Sequence, residues 1–200
     1  PQPSAASESF RESLGGIVDT TLAGIGPIAP GASTSTTMNI DLNSPRSRYF
    51  NYASMVIPSN DAFFANGDPM AHEIVDADGN FLGAEIIIMG TDVLDAGTEV
   101  NDEVPANTAF LAQMAPNTGA DENGNVMAHT GFMAAGSGGI LDEAMFANGD
   151  FTASEYMLAR VTVEIAPPEI IDVEILVENL SPENGTYITP VWVGFQNGTF

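Results

Sequence analysis

Two alternating runs split by a proline pair constrain the fold most. From Glu155 to Ile165, Met157, Ala159, Val161, Val163 and Ile165 share one face, against Leu158, Arg160, Thr162 and Glu164. A period of two is the pleat of a strand with one face buried. Ala166-Pro-Pro-Glu169 must break that strand, because proline has no N–H to give to a ladder. Alternation resumes from Ile171 to Leu180, with Val173, Ile175 and Val177 opposite Asp172, Glu174, Leu176 and Glu178. Further strands are expected at Ser33–Leu42, Arg46–Ile57, Ala84–Met89 and Tyr187–Phe195. Twenty glycines and thirteen prolines punctuate the chain, which favours many turns and little helix. The expected fold is all-β: an antiparallel β-sandwich of about eight strands with long loops and one short helix.

That helix is expected over Ser7–Leu14, capped by Ser7, with Phe10 and Leu14 four residues apart. Ala84–Met89 is an apolar run and reads as a central strand buried on both faces. Asp76-Ala-Asp-Gly-Asn80 has the front half of an EF-hand loop. The glutamate needed at loop position 12 falls on Ile87, so the segment reads as a tight turn between short strands. Residues 105–139 have little regular pattern, and a loop that long in a compact domain is usually functional or forms a layer of its own. A helical turn is expected within Ile140–Phe146. Phe146-Ala-Asn-Gly-Asp150 echoes Phe64-Ala-Asn-Gly-Asp68, which reads as repeated turn chemistry.

The 200 residues suit one domain, divided by the proline break into a main body (1–165), a spacer (166–170) and strands that complete this or a neighbouring sandwich (171–200). The net charge is −23, with 27 acidic side chains, no lysine, and arginine only at 11, 46, 48 and 160. Such a surface repels nucleic acid and anionic lipid, and it suits cations or high salt. No cysteine is present, so no disulfide or thiol chemistry is expected. No run reaches the ~18 apolar residues of a membrane helix, so membrane insertion is not expected.

Charge concentrates in Thr91–Val104, where Asp92, Asp95, Glu99, Asp102 and Glu103 follow the apolar run. Two like charges about 4 Å apart repel by roughly 1 kcal/mol in water. A hard divalent cation reverses that cost, since calcium prefers carboxylate and carbonyl oxygens. Gly97 permits a tight turn between Asp95 and Glu99. Two readings stay open at this level: a calcium ion held by Asp95 and Glu99, or a solvated acidic loop. His72 and His129 lack any ligand spacing and read as turn residues. Ser137, in Gly136-Ser-Gly-Gly139, lacks the G-x-S-x-G elbow, so no catalytic set is expected and an enzyme is not expected. The nine methionines read as core filler. Asn184-Gly-Thr186 and Asn197-Gly-Thr199 read as Asn-Gly turns before sequons. Trp192, Tyr187 and Phe195 are expected inside the sandwich.

Several stretches resemble the spondin domain, a type found at the amino-terminal end of animal adhesion proteins and in many bacterial secreted proteins. They are Ala6-Ser-Glu-Ser9, Ala53-Ser-Met-Val-Ile-Pro-Ser-Asn-Asp-Ala-Phe63, Asp95-Ala-Gly-Thr-Glu-Val-Asn101, Val177-Glu-Asn-Leu-Ser-Pro182 and Gly194-Phe-Gln-Asn-Gly-Thr-Phe200. The resemblance implies an extracellular antiparallel sandwich that binds calcium and serves adhesion, here of bacterial secreted or cell-surface type. It implies ligation by Asp61, Asp95 and Glu99, and Asn60 and Asn101 are placed to add neutral oxygens. The animal members carry cysteines, so their disulfide-dependent features do not transfer.

The motif order is rearranged. The Val-x-Asn-Leu-x-Pro and Asn-Gly-Thr-Phe motifs open the family's domain but close this chain. Three arrangements fit: one period of a tandem array, a subunit whose final strands complete the next subunit, or a circular permutant. The first two imply head-to-tail self-association into a filament. The expected function is therefore a calcium-binding structural or adhesive module of the cell exterior, probing matrix or glycan partners. The rival is a monomeric module binding carbohydrate or protein through the 105–139 loop.

Overall fold

The computed structural model describes residues 16–22, 26–166 and 172–199. Eleven strands run through them: β1 (Gly16–Leu22), β2 (Ser33–Asn39), β3 (Tyr49–Ile57), β4 (Ala62–Ala65), β5 (Ala84–Met89), β6 (Leu94–Asp95), β7 (Met127–Ala128), β8 (Met157–Ile165), β9 (Asp172–Asn179), β10 (Tyr187–Ile188) and β11 (Val191–Gln196). They form two antiparallel sheets. One has the order β1-β11-β3-β4-β6-β7, with β10 also paired to β3; the other has the order β2-β9-β8-β5. The all-β expectation holds. The expected helix over Ser7–Leu14 lies outside the described residues, where the helical elements are single 3-10 turns at Pro45–Ser47, Gly90–Asp92, Ile140–Asp142 and Ala144–Phe146.

The alternating runs follow their period except at the start of β8, where an irregular pairing with β5 skips Leu158. Leu158, read as outward, is therefore fully buried, and Met157, read as inward, is exposed. On β9, Val173, Ile175 and Val177 are all fully buried. In register with them, Val161 of β8 lies opposite Val177, and Val163 opposite Ile175. Met157 and Ile165, at the ends of β8, run past the core and are exposed. The facing sheet contributes Phe50, Tyr52 and Val56 from β3, Phe64 from β4, and Val191, Val193 and Phe195 from β11. Phe50 and Phe195 are cross-strand partners whose ring centroids lie 5.5 Å apart. Each such fully buried aromatic or branched side chain contributes roughly 1.5–3 kcal/mol by leaving water.

Two expectations about burial are corrected. Of the nine methionines read as core filler, six are exposed, Met114 almost entirely. Ala84–Met89 is an edge strand, paired to β8 alone. Ile86 and Ile88 enter the core, while Glu85 and Ile87 face outward. An apolar run alone does not distinguish a strand buried on two faces from an edge strand with one outward isoleucine; Ile87 lies opposite Arg160. The strand buried on both faces is β11, where every residue from Val191 to Gln196 is buried. The Tyr187–Phe195 run is split into β10 and β11 around Thr189-Pro190.

Both β9 and β11 lie between strands of their own chain, β9 between β2 and β8, β11 between β1 and β3. A buried polar knot ties the strand ends together. Asn179 donates to the carbonyls of Ile28 and Thr186, while the Tyr156 hydroxyl and Ser181 Oγ each lie 3.1 Å from Thr186 Oγ1. Thr186 is fully buried. The Asp76–Asn80 segment is the expected tight turn: Asp76 accepts from the Asp78 and Asn80 amides, and Gly79 takes φ +80°. No helix among the described residues is long and apolar enough to cross a membrane.

Candidate cation rim and adjoining cavity

The candidate site grows from the turn joining β3 to β4. Beyond β3 comes the cis Ile57–Pro58 bond and then Ser59, whose hydroxyl donates to Val56 O and accepts from Ala62 N. This closes the turn and presents Asn60 and Asp61 at the sheet rim. In register, Ala62 lies opposite Asp95, so the short β4–β6 pairing brings Asp61 to the start of the acidic stretch. Asp61 Oδ2 then accepts from Thr98 N at 2.7 Å, Thr98 Oγ1 at 2.6 Å and Glu99 N at 3.1 Å. Its other oxygen, Oδ1, is buried and has no hydrogen-bond partner. The turn between Asp95 and Glu99 needs Gly97, at φ +67°, where an added Cβ would sit 2.9 Å from the Gly124 carbonyl carbon. Substitution there meets both backbone strain and a clash.

The rest of the acidic stretch is largely turned inward, toward backbone donors. Asp95 Oδ1 accepts from Gly97 N at 2.7 Å, and Oδ2 from Asn101 Nδ2 at 2.6 Å. Glu99 Oε1 accepts from Gly119 N at 2.6 Å. Asp92 accepts from Met89 N, and Asp102 from Val104 N and Asn107 Nδ2. Glu103, at φ +52°, accepts from Met133 N and from Ile140 N at 2.7 Å, binding both ends of the segment 133–140 to the rim. Carboxylates accepting backbone N–H bonds are charge-assisted pairs, about twice as strong as neutral ones. Asp61, Asp95, Glu99 and Glu103 are all buried, so the segment is not a solvated loop.

Asn60, Asp61, Thr98 and Glu99 line one cavity of about 500 Å³, whose other wall comes from the 105–139 loop through Ala109, Gln113, Pro116 and Asn117. The loop is held there by Ala109 N to Ser59 O at 2.9 Å and by Val100 N to Ala120 O at 2.9 Å. Asn60 donates to Val100 O at 3.0 Å, and a Cβ on Gly119 would meet Glu99 Oε1 at 3.0 Å and Asn60 Nδ2 at 3.3 Å. Thus three of the five sequence-predicted ligands, Asn60, Asp61 and Glu99, share one cavity. Asp95 and Asn101 bond to each other nearby and are not part of its lining.

The fit to a hard cation is partial. Asp61 Oδ1 is an unpartnered buried anionic oxygen, which a cation would satisfy. Glu99 and Asn60 line the same cavity and carry further oxygens. No group of three or more His, Asp or Glu side chains among the described residues is placed to hold a metal ion, so any ion there depends on neutral oxygens for the rest of its shell.

Sequence reasoning missed two participants. Glu103 contacts segments 30 and 37 residues away, a separation that leaves no local signal. His129, expected in a turn, is buried against Phe132 and Phe151, with ring centroids 6.0 and 5.2 Å away, and its Nδ1 accepts from Gly131 N. Burial holds its imidazole below the ordinary value, opposed by the charges of Asp95, Asp61 and Glu103. Gly136 and Gly138, which flank Ser137, both donate their amides to Asp142. Those bonds hold the Asp142 carboxyl below its usual range. A comparison with known proteins finds no matching family model, curated protein or solved structure.

Proposed function

We propose that this chain is a non-catalytic, calcium-binding β-sandwich of the cell exterior, spondin-like, that serves a structural or adhesive role. In this reading the ion binds at Asp61 and Glu99 with Asn60. Asp95 and Asn101 brace the loop that carries Glu99. Calcium thereby fastens the β3–β4 turn to the 95–101 segment. The observation that carries the reading is the buried Asp61 Oδ1 with no donor. An oxygen left so in the apo protein costs free energy that a hard cation recovers. The flanking of β9 and β11 by strands of the same chain favours a sandwich closed on itself over exchange of strands between subunits, and suits a tandem array and a circular permutant alike.

Calorimetry and thermal melting of the chelator-treated protein test this. Calcium at 100 times its Kd should add about 2.7 kcal/mol of stability. Asp61→Asn and Glu99→Gln should each abolish most of that gain. A melting temperature indifferent to calcium, measured at constant ionic strength, would refute the site.

A second reading, a monomeric ligand-binding module, draws on the cavity itself. Its volume of about 500 Å³ is that of a small-molecule site.

A further inference from the structure

The cavity beside the rim has a lining of unusual composition. Met55, Phe63, Ala109 and Pro116 give it apolar wall, and Asp61 and Glu99 give it two carboxylates. No arginine lines it. Arg48 is engaged by Glu73, and Arg160 by Glu178 and Glu85. The chain has no lysine. Among the described residues, no ion pair reaches either carboxylate. Asp61 is only 8% exposed, and its Oδ1 takes no hydrogen bond. Glu99, 4% exposed, takes one, from Gly119 N. An anion would be repelled from such a cavity, and a neutral ligand would leave both charges uncompensated.

We propose that the cavity binds a primary alkylammonium group. The ammonium sits by Glu99 and Asp61, and the alkyl stem lies along Met55, Phe63, Ala109 and Pro116. An ammonium brings three donors and a compact charge, while its methylene stem packs on apolar surface. Two sources share this chemistry: a lysine side chain of a partner polypeptide and a free alkylamine. These 200 residues carry no lysine of their own to supply the group. The inference stands apart from the calcium reading. Ion and ammonium draw on the same carboxylates, so each excludes the other.

The test is calorimetric titration of the full chain in chelator with pentylamine, with Nα-acetyl-lysine methylamide, and with the Nε-acetylated form of the latter. The two amines should saturate one site, and Nε-acetylation should weaken binding at least tenfold. Glu99→Gln should weaken amine binding tenfold or more. Ala109→Phe, which fills the cavity without touching the carboxylates, should abolish binding while leaving the melting temperature near wild type; this variant decides the matter should Glu99→Gln fail to fold. Tighter binding of the lysine derivative than of pentylamine assigns the site to a polypeptide partner, and the reverse order assigns it to a free amine. Absence of saturable amine binding overturns the proposal, as does equal binding of the acetylated form or unchanged binding by Ala109→Phe. The titration runs without calcium, so a failed calcium experiment leaves its outcome untouched. Where both readings hold, added calcium raises the apparent Kd of the amine.

Discussion

His129 shows how a single side chain is set by its surroundings. Its ring is packed edge-on against Phe132 and Phe151, and burial keeps it neutral below its ordinary pKa of 6.5. A base whose folded pKa is lowered binds fewer protons folded than unfolded just below pH 6.5. Its contribution to stability is therefore present above that pH and is lost as pH falls toward the folded value. His72, half-buried against Tyr52, shifts in the same direction for the same reason. Melting temperature should thus fall as pH is lowered below 6.5, and His129→Gln should flatten that slope, as differential scanning calorimetry would record. An equal slope in the variant would assign the loss to other groups. In the opposite direction, burial first and the Asp92 charge second push the Tyr52 phenol up to about 12. Of the candidate ligands, Asp61 was reachable from sequence through motif resemblance. Its orphaned oxygen was not, because that depends on Thr98 and Glu99, 37 and 38 residues away, crowding the other oxygen.

At the scale of elements, the acidic stretch is a hub for loops. Its sequence announced charge but not direction: the same carboxylates suit an ion, water or backbone amides. The structure turns most of them to amides, and Glu103 does the most, since it alone ties both Met133 and Ile140 to the rim. Glu103→Ala should cost about 3 kcal/mol, the scale of two hydrogen bonds to a charged group. Limited proteolysis should then cut within 105–139 faster than in wild type while the sandwich core stays resistant. An unchanged cleavage rate would show that the loop is held by other means. The alternation of β9 was legible because period two has one interpretation; on β8 it breaks at Leu158, where the irregular pairing with Ile88 and Met89 leaves no local signal. The apolar run of β5 had two interpretations, and lateral position in a sheet depends on partners remote in sequence. Glu164 lies opposite Glu174 on the outward face, where like charges in register weaken a ladder. Leu176 and Thr162, also in register, are half-buried between them and the next pair, Arg160 with Glu178.

At the scale of the whole molecule, a net charge of −23 on 200 residues is a standing repulsion. Screening should relieve it: raising sodium chloride from 10 mM to 1 M shortens the Debye length from about 30 Å to about 3 Å. Melting temperature should rise over that series, and Asp61→Asn should rise in parallel with wild type, since the effect belongs to the whole surface. A flat response would mean that the charges are already compensated. This series also provides the baseline against which a calcium-specific gain is read. The sandwich class was legible in turn density and strand period. The pairing order was not, because β1-β11-β3 and β2-β9-β8 join segments from opposite ends of the chain.

That interleaving governs the order in which the protein can be made. Each sheet receives an interior strand late: β11 slots between β1 and β3, and β9 between its immediate predecessor β8 and the much earlier β2. Until residues 172–196 emerge, the inward faces of β3 and β8 are bare and their ladder groups lack a neighbour on one side. Neither sheet can therefore be completed before these strands are made, and the long-range pairings β1-β11 and β2-β9 carry the high contact order that slows folding.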